Sequence, residues 1–161
     1  MSNGITFDGF DRFADSISEL SSKATAIMKR ATYEGAKIGL DDVRKAIEAL
    51  PIEYYGPNAT NVAGVLPVQK EGLLDGLGAT EMKDENGKVF TVIGFDGYNG
   101  LKTKRFPQGQ PNLLVARGIC SGTSFRKRND FISKIARQKL AEIQKTMAEQ
   151  IEKDTKKIMK G

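Results

Sequence analysis

Two apolar stripes at helical spacing, one at each end of the chain, flank a middle rich in proline and glycine. That pattern dictates a long helix at either end and confines any sheet to what lies between them. The first stripe starts with Phe10, Phe13, Ile17 and Leu20, whose spacings of three and four put them on one face of a short helix capped by Asp8 or Asp11. Ser18, Ser21 and Ser22 loosen the pattern, which resumes at Ala24, Ile27, Met28, Ala31, Gly35, Ile38, Val43 and Ile47 as a second, longer helix ended by Pro51. Ala24, Ala31, Gly35 and Gly39 are small enough to let a helix or sheet approach closely, although each glycine costs roughly 1 kcal/mol against alanine. The second stripe, Phe131, Ile135, Leu140, Ile143, Met147, Ile151 and Ile158, predicts an amphipathic helix over Asp130–Met159 of about eight turns.

Between the stripes, residues 51–68 hold Pro51, Pro57 and Pro67 with Gly56, Asn58, Asn61 and Gly64, the spelling of a long loop. Tyr54 and Tyr55 mark that loop as a contact surface. The passage GLLDGLG at 72–78 lacks the Gly-Lys-Ser/Thr ending of a phosphate loop and reads as a short helix with turn glycines. Asn86-Gly87, flanked by Ala79–Met82 and the β-branched and aromatic run to Phe95, predicts a β-hairpin. Residues 96–111 form another exposed loop, the candidate mobile arm, and LLVAR at 113–117 is a buried apolar run ending in a charge. The expected fold is α+β: a small antiparallel sheet with a long N-terminal helix and a long C-terminal helix packed against it. Its 161 residues suit a single domain, with loops near 51–68 and 96–111 mobile until neighbours order them.

The chain contains no histidine, which removes the usual general base and the commonest transition-metal ligand. Cys120 has no second thiol for a disulfide or a soft metal site and reads as a small filler. Asp41-Asp42 and Asp84-Glu85 are adjacent carboxylates that diverge on a helix or face water on a turn, without the alternating oxygen ligands of a calcium loop. The expectation is therefore a non-enzymatic protein with no cofactor and no metal. No apolar run approaches a membrane span, and MSNGITFDGFDRF has no basic segment leading into an apolar core, so the chain is expected to stay in the cytoplasm where it is made.

Charge is divided along the sequence. Residues 1–100 carry 10 Lys plus Arg against 15 Asp plus Glu, and residues 101–161 carry 15 against 5. Such asymmetry suits head-to-tail self-association, or an acidic or nucleic-acid partner at the basic end. The basic end concentrates its chemistry in SGTSFRKRNDF, Ser121–Phe131. Here Gly122, Thr123 and Ser124 form a turn that aims Arg126, Lys127 and Arg128 outward, Asn129 or Asp130 caps a helix, and Phe131 anchors it. With Lys102, Lys104 and Arg105 nearby, these cations meet phosphates or an acidic protein face, and Phe106 and Phe125 offer stacking surfaces. A charge run is more often a solvated or protein-docking face, and no groove-reading motif is present.

The order of these features resembles the head-tail joining proteins of long-tailed bacteriophages, also called neck, tail completion or minor tail proteins. The resemblance is collinear: GFDRF, the helix ATYEGAKIGLDDVRKAI, a loop, the GLLDGLGAT to VIGF hairpin region, then VARGICSGTSFRKRNDF and the closing helix. Glu71-Gly72 stands where the family usually has Thr-Gly or Lys-Gly, and Gly122, Thr123 and Ser124 match its Gly-Thr-Ser turn. Asp130 stands where many members have a proline before the aromatic. The resemblance implies a virion component, assembled in the host cytoplasm, that sits at the neck as a ring, a hexamer matching the tail's sixfold symmetry. Its partners would be further copies of itself, neighbouring neck and tail proteins and the DNA in the channel, with no membrane. The alternative reading is a basic nucleic-acid-binding protein using the 102–105 and 126–128 cations.

Overall fold

A computed structural model describes residues 8–160, with side chains from Asp11 onward. The expected capping by Asp8 and packing of Phe10 concern side chains outside the described ones, and the reading of the first seven residues lies outside the described residues. The elements run α1 (Asp8–Glu48), α2 (Pro67–Gly76), β1 (Leu77–Ala79), β2 (Lys83–Glu85), β3 (Lys88–Phe90), β4 (Ile93–Phe95), α3 (Asn112–Ser121) and α4 (Phe131–Lys160). The fold is α+β, with long helices at both ends and a small antiparallel set of strands between them.

The two helices expected before Pro51 are one, about 60 Å long at 1.5 Å per residue. Ser18, Ser21 and Ser22 do not break it because all three lie on its exposed side, where losing apolar periodicity costs no packing. Ser22 Oγ also donates to Glu19 O at 2.8 Å, a bond made inside the helix. At the other end Leu50 N donates to Ile47 O, Pro51 stops the ladder, and Lys70 Nζ of α2 caps Glu48 O at 2.5 Å and Leu50 O at 2.8 Å.

α4 runs antiparallel to α1, as the cross-helix pairs show: Lys139 to Asp42 at 3.4 Å and Arg30 to Asp154 at 2.9 Å. The small residues of α1 set the separation. A methyl group on Gly35 would stand 2.8 Å from Met147 Cγ and 3.1 Å from Ile143 Cγ2, and one on Gly39 would stand 2.8 Å from Ile93 Cδ1. Gly35 thus admits a helix and Gly39 a strand. The buried row of α1, Ile27, Ala31, Gly35, Gly39, Val43 and Ile47, advances four residues at a time. Each step turns it about 40° around an axis of 3.6 residues per turn, so the row faces α4 along the rod and then swings toward the core.

That core gathers at the C-terminal end of α1, where Val43, Ile47 and Leu50 meet Val65, Leu73, Leu77, Val115, Ile119 and Phe131. The strands form one interrupted hairpin. β2 and β3 pair Glu85 with Lys88 across Asn86 (φ 54°) and Gly87 (φ 76°), the two left-handed positions of a tight two-residue turn, as the Asn-Gly pair predicts. β1 and β4 continue the hairpin with Ala79 opposite Ile93, leaving one extra residue on the first strand between the two ribbons. The bulge is tied by Thr80: its N donates to Val92 O, and its Oγ1 accepts from Val92 N at 3.0 Å. The apolar run at 113–117 is not an isolated buried segment but the start of a helix, α3, entered through Pro111 and closed at Gly122 (φ 76°). No helix among the described residues is long and apolar enough to cross a membrane.

Enlarging Gly35 is expected to wedge α1 from α4. Gly35→Leu should lower stability by about 1–3 kcal/mol in urea denaturation, the usual cost of overpacking. Adding Met147→Ala should restore part of the loss, and a double-mutant cycle without coupling would contradict this packing.

Candidate arginine-lined cleft

The loop at 51–66 is built around one carboxylate. Glu53 Oε2 accepts from the backbone N–H groups of Ala63 and Gly64, each at 2.8 Å. Pro51 and Val65 are joined by Val65 N to Pro51 O, and Glu53 N donates to Val65 O. The Gly64 and Ala63 donors, followed by the charges of Arg126 and Lys127, hold the Glu53 carboxyl below the ordinary glutamate range. This closed loop presents two main-chain acceptors to the basic segment: Val62 O takes Lys127 N at 2.9 Å, and Gly64 O takes Arg126 Nη1.

The three consecutive cations therefore have different fates. Residues 125–127 pair with Val62 as extended chain, so successive side chains alternate sides. Arg126 turns inward and is 7% exposed, which corrects the expectation that all three project as a docking surface. Its Nη2 donates to Tyr55 Oη at 3.1 Å, and its guanidinium lies 5.5 Å from the Tyr55 ring centre and 5.7 Å from that of Phe125. Tyr55 Oη in turn donates to Gln69 Oε1 at 3.1 Å, and Gln69 Nε2 donates to Gln110 Oε1 at 2.8 Å. Lys127 and Arg128 remain exposed, Arg128 in an ion pair with Asp130 at 3.1 Å.

The turn predicted at 122–124 is present, with Thr123 N donating to Arg126 O and Thr123 Oγ1 accepting from Arg126 N, both at 3.1 Å. Ser124 is exposed at its tip. Asp130 caps α4 by accepting from Ser133 N at 3.4 Å, and Ser133 with Arg128 holds its carboxyl below the ordinary aspartate range. Phe131 is buried in the core as the expected anchor. Beside it, burial raises the pKa of the Cys120 thiol.

The 96–111 segment closes on itself: Thr103 and Phe106 exchange two backbone bonds at 3.1 Å, and Asn99 N donates to Gln110 O at 2.9 Å. Its closure leaves Lys102, Lys104 and Arg105 exposed and brings only Arg105 into a cleft shared with the basic segment. That cleft, about 530 Å³, lies between this loop, α3 and the 122–126 turn. Arg105, Arg117 and Arg126 line it with Tyr55, Phe106 and Phe125, and no acidic residue does among the described residues. Arg105 also lies 5.4 Å from the Phe106 ring centre. Arg117 was not among the candidate residues. Its signal is the single charge closing LLVAR, five residues before the turn at Gly122, which becomes cleft-lining once that run is helical. Among the described residues no group of three or more His, Cys, Asp or Glu side chains is placed to hold a metal ion.

Two measurements probe this region. Arg126→Met should cost about 3 kcal/mol in urea denaturation, by losing charged hydrogen bonds inside the protein, whereas exposed Lys127→Ala should stay within about 0.5 kcal/mol. Equal small effects would place Arg126 at the surface. Glu53, with its folded pKa depressed, contributes stability above the ordinary value near 4.5 and loses it as pH falls through the folded value. Glu53→Gln should therefore be the less stable protein at neutral pH, with the difference from the parent shrinking below about pH 4.5. A pH-independent difference would mean that the carboxylate charge does not hold the loop.

Compared with known proteins, the chain matches no family model, no curated protein and no solved structure.

Proposed function

We propose that this chain is a non-enzymatic structural protein of a tailed bacteriophage virion, which assembles as a ring in the neck and joins the tail to the DNA-filled head. The observation that carries this reading is the apolar surface left uncovered along the α1–α4 rod. Phe13 and Ile17 on α1 are 54% and 45% exposed, and Leu140 on α4 is 53% exposed. Phe13 and Ile17 stand one turn apart at the end of the rod remote from the core, and exposed apolar side chains that adjoin one another mark association surfaces. Contacts between copies would cover it, and repeated heterologous contacts yield a ring when the rotation closes. The collinear order of sequence features, from GFDRF to the Gly-Thr-Ser turn and closing helix, supports the neck as the place and further copies, neck and tail proteins as the partners. Lys127 and Arg128, exposed beyond the Arg126 clasp, suit an acidic neighbour or the channel DNA.

A nucleic-acid-binding reading is favoured by one separate observation, the convergence of arginines and aromatic rings in a cleft without acids. It requires affinity that falls steeply with salt.

Deleting the gene from its phage and imaging the lysate by electron microscopy separates these. Full heads beside separate finished tails are expected. Intact infectious particles would refute joining and leave the nucleic-acid reading.

A further inference from the structure

We propose that the arginine cleft receives the acidic face of the first turns of α1 from a second copy of this chain, joining copies end to end. The inference deepens the ring reading above and rests on it for its biological setting, not for its chemistry. The cleft gathers three guanidinium groups, of which Arg126 lies near Glu53 and has its donors taken by Gly64 O and Tyr55 Oη, leaving Arg105 and Arg117 to meet an incoming group. Arg105 and Arg117 are exposed at its wall and Arg126 forms its buried floor, yet among the described residues none of the three has a carboxylate within ion-pair distance. A concave, partly apolar site focuses such a field, and guanidinium groups take carboxylates as paired, planar hydrogen bonds.

The complementary surface lies on the same chain. Asp11, Asp15 and Glu19 follow at steps of four, so they form one stripe on α1, and all three are exposed. Among the described residues only Glu19 is paired, with Lys23 one turn further along. Asp11 and Asp15, unpaired among the described residues, match the exposed Arg105 and Arg117 in charge and number, which suits the division of the sequence into acidic and basic parts.

The two surfaces cannot meet within one molecule. The cleft adjoins Gly64, which packs on Pro51 O just beyond the C-terminal end of α1. Asp15 lies near the other end of the same continuous helix, about 50 Å away at 1.5 Å per residue. The contact is therefore between copies, and it is heterologous: each copy offers its stripe to one neighbour and its cleft to the other, which yields a ring when the rotation closes.

Sedimentation velocity on the full chain tests this with two charge-reversed proteins. One carries Arg105→Glu and Arg117→Glu, leaving the Arg126 clasp intact, and the other carries Asp11→Lys, Asp15→Lys and Glu19→Lys. Circular dichroism checks their folding, and the milder sets Arg105→Ala with Arg117→Ala, and Asp11→Asn with Asp15→Asn and Glu19→Gln, replace any that unfold. The parent is expected to associate, and each variant alone to associate about tenfold or more weakly, as lost charge pairs at an interface do. Mixing the two variants should restore association, since the native stripe of the first meets the arginine cleft of the second and the lysine stripe of the second meets the glutamates of the first. A monomeric parent, or association that survives both reversals, overturns the proposal. The second of these outcomes leaves the ring and joining reading standing on the helix faces, while infectious deletion phage would remove that reading without touching the self-contact. Titration with a fluorescent single-stranded oligonucleotide provides the last arm. Binding abolished by the arginine reversals, with association unaffected by the stripe reversals, would make the cleft a phosphate site and overturn the proposal.

Discussion

The buried guanidinium of Arg126 is the charge on which the globular end of this protein is organised. Desolvating a cation is unfavourable unless its donors are used, and here they are used by Gly64 O and Tyr55 Oη while two aromatic rings cover its faces. Tyr55 passes the connection to Gln69 on α2, and Gln69 passes it to Gln110 at the end of the 96–111 loop. Two long irregular segments, a short helix and the approach to α4 are thus held by one hydrogen-bonded chain. The core beneath it supplies cohesion, but the polar chain fixes which loop lies beside which. It also produces the cleft, since its members line the floor.

The protein divides into a rod and an end, and α1 belongs to both. Along the rod it is covered mainly by α4, at the close approach that Gly35 permits. Near its C-terminus the same buried row has rotated toward the hairpin, α2 and α3. One helix therefore satisfies two partners by the mismatch between a four-residue step and 3.6 residues per turn. The rod remains thinly covered, and Phe13, Ile17 and Leu140 stand exposed on its flanks.

What the sequence revealed and what it hid follow from the range of the forces involved. The Asn86-Gly87 turn, the Asp130 cap, the stop at Pro51 and the small residues of α1 are local or periodic, and they were legible. The serine cluster misled because a gap in apolar spacing looks the same whether a helix ends or merely faces water. α3 was hidden by Gly118 in its middle and by its shortness, since an apolar run of that length has no period to display. The fate of Arg126 was not legible at all. Three adjacent cations are chemically alike in sequence, and only pairing with Val62, distant along the chain, assigns one of them inward. The same distance dependence hid the cleft, for which Arg105 and Arg117 had to be brought beside Arg126 by loop closure and helix formation.

The antiparallel rod also sets an order of events during synthesis. Gly35 and Met147 touch although roughly 110 residues separate them, so this contact belongs to the slow, non-local class. A ribosome making the chain releases α1 well before α4, and the face of α1 that α4 will cover stays bare while the hairpin, α2 and α3 emerge. The nascent chain carries an uncovered apolar row until the residues of α4 are free, a period in which exposed surface invites aggregation. Messages cut short before α4 would yield that sticky intermediate permanently, so the closing helix decides the fate of everything made before it.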